Sequence, residues 1–200
     1  MLSAGFLTID TLKERLLPGA IAQSGEWDAN LQALGRGVAM AMNRHCNRNL
    51  ERLAGAVYEV GAATRLIVLS RYPVETITSV YVRDYTGSLD EHTAGYQLDE
   101  GAGLMTFVDY PGTSTDRIVV TFTGGYWLDD GDAMPEGATA MPDDLTEAFV
   151  MQCQAWAEAR GTFSSISLTT ADEKKAKPSG AELLPQVVRI LASYRRFASE

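Results

Sequence analysis

Cysteine and histidine are scarce in this sequence: two of each among 200 residues. Cys46 and Cys153 fall in helix-like segments, and a pair of that kind is a buried-hydrophobe pattern and not a disulfide framework. No Cys-x-x-Cys or His-x-x-x-His spacing occurs, so a structural zinc site is not expected. With only His45 and His92 available, a His-centred catalytic constellation has little to build on. His45 adjoins Cys46, but neighbours on a helix point about 100° apart and make no ready dyad. His92 lies in a turn-like stretch and is expected to be solvated.

Long apolar runs are missing as well. No 18-residue hydrophobic stretch occurs, so no membrane span is expected. The first residues, Met1 to Phe6, lack a basic region and a long apolar stretch, and a signal peptide is not expected. Positive charge is in short supply: 17 Lys and Arg stand against 26 Asp and Glu, a net charge of −9. Duplex binding through phosphates favours a basic face, so this balance argues against a nucleic-acid-binding module.

Phosphate cradles are also lacking. Gly124-Gly125-Tyr126 follows a strand without opening a helix, and Gly101-x-Gly103 leads into a strand; these glycines suit turns and bulges. Asp129-Asp130-Gly131-Asp132 resembles a calcium loop only superficially, because Gly131 comes too early and Met134 falls where a ligand is needed. No catalytic residue, metal ligand or cofactor site is therefore assigned, and no enzyme is expected.

What is present is a clear alternation of periods. Ile9, Leu12, Leu16 and Leu17 predict a short helix capped by Thr8 or Asp10 and stopped at Pro18-Gly19. Leu31, Leu34, Val38, Met42 and Cys46 predict a longer helix from about Trp27 to Arg48. Gly35 and Gly37 weaken it, and suit close packing. From Val57 the pattern becomes strand-like: Thr64–Leu69, Thr76–Asp84, Tyr96–Leu98, Leu104–Val108 and Arg117–Thr123, with a turn at Thr86-Gly87-Ser88. No helix separates these strands, so a small antiparallel sheet of hairpins is expected.

A third helix starts near Pro142 to Asp144, with Asp144 and Glu147 matching a capping box. Leu145, Phe149, Cys153 and Trp156 form its apolar stripe, and Gly161 ends it. Residues 161–180 are polar and read as a loop or arm. A last helix from about Leu184 to Phe197 carries Val187, Ile190, Leu191 and Tyr194 on one face. The predicted class is α+β: about four helices, with a small antiparallel sheet inserted between helices 2 and 3. Residues 1–160 form the core domain, and residues 161–200 form an arm and helix for partner docking.

Two segments are candidate partner surfaces. Tyr126 and Trp127, beside the acidic loop, either anchor an interface or close one end of the core. Arg189, Tyr194, Arg195, Arg196 and Phe197 give the last helix a basic character on an acidic protein. That helix either docks on an acidic partner or complements its own dipole in solvent.

The order of segments resembles the head–tail connector families of tailed phages, the gp6-like head-completion adaptors. The resemblance is carried by Thr11–Leu16, then Arg44–Leu50, then Tyr72-Pro73-Val74 with Ile77 and Val80. It continues through Tyr96-Gln97-Leu98-Asp99, Gly103-Leu104, Val119–Tyr126, Met141–Leu145 with Ala148, and Leu191–Arg196. It implies a structural virion protein assembled in the host cytoplasm: a homo-oligomeric ring, typically twelvefold, between the portal of the DNA-filled head and the tail or a stopper protein. DNA would pass through its channel without sequence-specific binding. A tail-completion or tail-terminator ring is the nearest alternative, and a small α+β ligand-binding or enzymatic domain a more distant one.

Overall fold

The computed structural model describes residues 4–17, 25–92, 95–128, 133–160 and 182–196. The class is α+β, with the strands inserted between the second and third helices. The chain divides into two units. Among the described residues, a helical unit falls within Met1–Cys46, Leu128–Ala133 and Met141–Arg196, and a sheet unit within Asn47–Trp127 and Met134–Ala140.

In the helical unit, α1 spans Ile9–Leu16, with the Thr8 hydroxyl accepting from the Thr11 backbone N–H at 3.2 Å. Thr8 is thus the cap, which satisfies one of the donors a helix start leaves open. A turn of 3-10 helix, Gly25–Trp27, leads into α2, Asp28–Cys46. The predicted stripe Leu31, Leu34, Val38, Met42 and Cys46 is fully buried. Asn47 ends the helix at φ 53, a left-handed conformation that asparagine tolerates better than most residues. Lys13 is buried and pairs with Asp28.

Both glycines of α2 have packing reasons. A Cβ on Gly35 would stand 2.1 Å from the Ala4 carbonyl oxygen, and one on Gly37 would stand 3.5 Å from the Trp156 ring. Gly35 therefore admits the N-terminal backbone, and only Gly37 faces another helix.

Helix α3 spans Asp143–Arg160 and buries Leu145, Phe149, Cys153 and Trp156 as predicted. Phe149 meets Phe6 with ring centroids 5.1 Å apart. The expected capping box is not formed, because Asp143 already lies inside the helix and Pro142 precedes it. The Glu147 carboxylate instead accepts from Arg15 at 2.8 Å. The expected helix end at Gly161 and the polar stretch 161–180 lie outside the described residues.

Helix α4, Pro185–Leu191, is followed by a 3-10 turn, Ala192–Tyr194. It is shorter than the predicted helix. Its buried Val187 and Leu191 belong to the core of the helical unit. Gln152, wholly buried on α3, fixes its approach: its amide donates to the Glu182 carbonyl at 3.2 Å and accepts from the Leu184 N–H at 2.8 Å. Trp156 Nε1 donates to the same Glu182 carbonyl at 3.1 Å. Buried amides and indoles need such partners.

The sheet unit holds β1 (Leu53–Gly61), β2 (Leu66–Val68), β3 (Val74–Arg83), β4 (Leu89–Glu91), β5 (Tyr96–Asp99), β6 (Leu104–Phe107), β7 (Arg117–Gly124), β8 (Tyr126–Trp127) and β9 (Thr139–Ala140). These make two antiparallel sheets, ordered β1-β7-β3-β4 and β2-β6-β5, and a parallel β8-β9 ribbon, in place of one sheet of hairpins. The β3-β4 and β5-β6 pairs are hairpins, whereas β1 pairs with the distant β7. Val80, Ile118, Val120 and Phe122 of the first sheet join Ile67, Met105 and Phe107 of the second in one buried cluster. The alternation in β7 places Ile118, Val120 and Phe122 on one face, as period-2 patterning requires.

Candidate functional site

Tyr126 and Trp127 sit where β7 turns into β8. Gly124 and Gly125 make that turn possible. A Cβ on Gly125 would stand 2.4 Å from the Glu51 carbonyl oxygen, and one on Gly124 2.9 Å from the Pro73 carbonyl oxygen. Three backbone segments meet here. Gly125 N–H donates to Pro73, Tyr126 N–H to Leu50, and Arg52 N–H to Tyr126, at 2.8, 2.7 and 2.9 Å. Only glycine fits so close an approach, and Gly125 also takes φ 99.

Against this turn lies a stack of arginines and aromatics. The Arg48 guanidinium carbon is 3.4 Å from the Tyr72 ring centroid and 5.4 Å from that of Tyr126. Arg48 is buried, and its Nη2 donates to the Tyr72 carbonyl. Cation–π contact of this kind stabilises a desolvated guanidinium. Next to it, Arg52 Nε and Nη2 grip Glu75 at 2.7 and 2.9 Å, with the Trp127 ring 5.7 Å from the guanidinium. The Glu75 hydrogen bond raises the Arg52 pKa, against the opposing effect of burial. Burial lowers that of Arg71, which donates to the Glu51 carbonyl. Tyr126 is buried and Trp127 half-buried within this arrangement. It is a packed closure in which one carboxylate, Glu75, pairs with Arg52, while Arg48 rests on aromatic rings and a carbonyl.

The second candidate set lies in the other unit. Arg189 and Arg195 are exposed, while Tyr194 and Arg196 are half-buried. The Tyr194 hydroxyl donates to Asp144 Oδ1 at 2.6 Å, and the Arg196 N–H donates to the Cys46 carbonyl at 2.8 Å. Arg189 lies in the last turn of α4, where a cation complements the helix dipole. Phe197 and the acidic loop 129–132 lie outside the described residues. The structure thus brings Tyr194, Arg195 and Arg196 together at one chain end, and places Tyr126 and Trp127 in a separate unit.

Reading the sequence did not single out Arg48, Arg52, Tyr72 and Glu75 as one group. The signals available were the Arg48 and Arg52 spacing and the Tyr72-Pro73 break, but only the fold brings them together. His92, expected in solvent, is half-buried with its ring edge-on to Phe107, centroids 5.2 Å apart. Cys153 is buried in an apolar setting that pushes its thiol pKa far up, away from reactivity. Among the described residues, no group of three or more His, Cys, Asp or Glu could hold a metal ion. No helix among them is long and apolar enough to cross a membrane.

No family profile matches the chain, and no curated protein matches it. Solved structures do. A chain from the neck of an empty gene transfer agent (GTA) particle, computed with C6 symmetry, aligns at a TM-score of 0.61 and 20% identity. One from the virion of the native GTA particle aligns at 0.58 and 19%, and one from the native neck, computed with C12 symmetry, at 0.53 and 16%. Each alignment covers 100% of this chain and 94% of the other. At such identities the likeness is one of fold: from end to end, this chain is folded like a chain found in the neck of gene transfer agent particles.

Proposed function

We propose that this protein is a non-enzymatic virion subunit. It forms a ring, twelvefold by the resemblance, that joins the portal of a DNA-filled head to the tail and extends the DNA channel. The observation that carries the reading is the full-length structural likeness to neck chains, which spans both the helical and the sheet unit. The C12 and C6 symmetries in the names of those neighbours support a closed ring. Closed rings need only one modest contact, repeated, since each copy adds to the avidity of the whole.

The net charge of −9 fits this role. A channel lined by acidic side chains repels phosphate and lets DNA slide without sticking. Arg189 and Arg195, exposed on the last helical segment with Tyr194 and Arg196 beside them, form the surface proposed to meet the portal or a neighbouring subunit. The charge contrast with the rest of the chain supports this assignment. For Tyr126 and Trp127, whose rings lie over Arg48 and Arg52, closing one end of the sheet unit is the role the contacts support.

Native mass spectrometry of the chain, alone and mixed with the portal protein of its own particle, tests the reading. A ring, or stoichiometric binding to the portal, is expected. A monomer that ignores the portal and binds tail proteins would assign it to the tail side instead.

A further inference from the structure

We infer that adjacent subunits join by pairing the β1 edge of one copy with the β4 edge of the next, continuing the four-stranded sheet around the ring. The inference rests on the ring reading and names the surface that closes it.

A cyclic ring needs two different surfaces on each subunit, one to give and one to receive. The sheet order β1-β7-β3-β4 leaves two edges of this kind, β1 and β4. A long exposed edge strand is a template for pairing; β1 is the long edge here, and β4, three residues with Asp90 and Glu91, is the short segment it would receive. Strand β1 is nine residues, Leu53–Gly61, with no Lys and no Pro. Its one charge, Glu59, is already paired with Arg83 at 2.8 Å and Arg117 at 3.7 Å. Val57 is 64% exposed at the centre of this edge, and Leu89 is 50% exposed on β4.

Strand direction agrees. β1 is antiparallel to β7, β7 to β3, and β3 to β4. So β1 and β4 run oppositely within one sheet. A neighbour related by rotation without flipping would lay its β4 antiparallel to β1, preserving the alternation.

The faces agree too. Val57 lies across from Thr121, and Glu59 across from Val119. Val119 in turn faces Tyr81, which faces Glu91. Leu89 is two residues from Glu91 and shares its face. Val57 and Leu89 therefore stand on the same side of the sheet, opposite the Ile118, Val120 and Phe122 core face. An unflipped junction brings these two exposed apolar side chains together on one surface, where each can shield the other from water.

Amide hydrogen exchange on the assembled ring and on the free subunit, with Val57→Lys as the variant, tests this. Protection that appears on assembly at both Leu53–Gly61 and Leu89–Glu91 supports it. So does loss of the ring in Val57→Lys with an unshifted thermal midpoint, since the side chain is exposed. A ring whose β1 and β4 amides are unchanged would overturn the inference and leave the ring reading standing. Protection at β1 alone would also overturn it, pointing to a symmetric β1–β1 pair. Absence of any ring, with or without portal, would remove the reading itself.

Discussion

The Tyr194 hydroxyl hydrogen-bonds Asp144 Oδ1 at 2.6 Å, tying the 3-10 turn Ala192–Tyr194 to the first turn of α3. A carboxylate at a helix start already complements the dipole, and the phenol makes it a clasp between two chain regions. Tyr194→Phe should cost about 1 kcal/mol, or a few degrees in thermal midpoint for a chain of this size. A double-mutant cycle with Asp144→Ala, which removes the acceptor, should show coupling; additive effects would mean the contact contributes nothing.

The two glycines of α2 should respond with opposite signs. Gly35→Ala drives a methyl into the Ala4 carbonyl, and should destabilise by about 1–3 kcal/mol. Gly37→Ala meets only ordinary contact with Trp156, and should gain up to about 1 kcal/mol from helix propensity. Chemical denaturation of both variants checks the pair.

How far the sequence reveals the fold follows from which contacts are local. The stripes Leu31–Cys46 and Leu145–Trp156 were legible because helix burial repeats every three or four residues. The strand β7 was legible because of its β-branched run. The pairing of β1 with β7 was not, since register between distant strands leaves no local signal. Strand β1 starts at Leu53, and its start before Val57 was hidden because Ala54 and Gly55 dilute the pattern; Gly55, at φ 66, lies within its irregular register. The Asp144 and Glu147 spacing matched a capping box, yet each carboxylate is engaged by a distant residue, Tyr194 and Arg15. For the candidate surfaces, Arg189 and Arg195 could be read off as exposed charge, whereas Arg196 is half-buried. The Arg48–Tyr72–Tyr126 stack could not, because it is assembled from three separate segments.

Removing Glu75 tests that closure. Glu75→Gln leaves the Arg52 guanidinium without its carboxylate beside the Trp127 ring, and should cost about 2 kcal/mol. Trp127 fluorescence, shifted before global unfolding, would report the loosened turn. An unchanged stability would mean the pair is replaceable by water.

Acid sensitivity should be visible at the β3-β4 turn. Asp84 Oδ1 accepts from the Thr86 hydroxyl at 2.6 Å, the Thr86 N–H at 2.8 Å and the Ser88 N–H at 2.9 Å. The Thr86 side chain foremost, and the backbone donors after it, hold its pKa below the usual 3.8. A depressed folded pKa stabilises above the unfolded value, and that stability is lost as pH falls through the folded one. The difference between the native chain and Asp84→Asn should therefore be full at neutral pH and close below about pH 4. A pH-independent difference would contradict it.

The last helix should be tested by charge and not by deletion, because Val187 and Leu191 are core residues whose removal would disturb the helical unit. The most direct measurement is native mass spectrometry of the chain with its portal, comparing the native sequence with the Arg189→Glu, Arg195→Glu double variant. A ring or a stoichiometric portal complex is expected for the native chain, weakened at least tenfold in the variant while its thermal midpoint holds. A native chain that stays monomeric and never binds the portal would contradict the account.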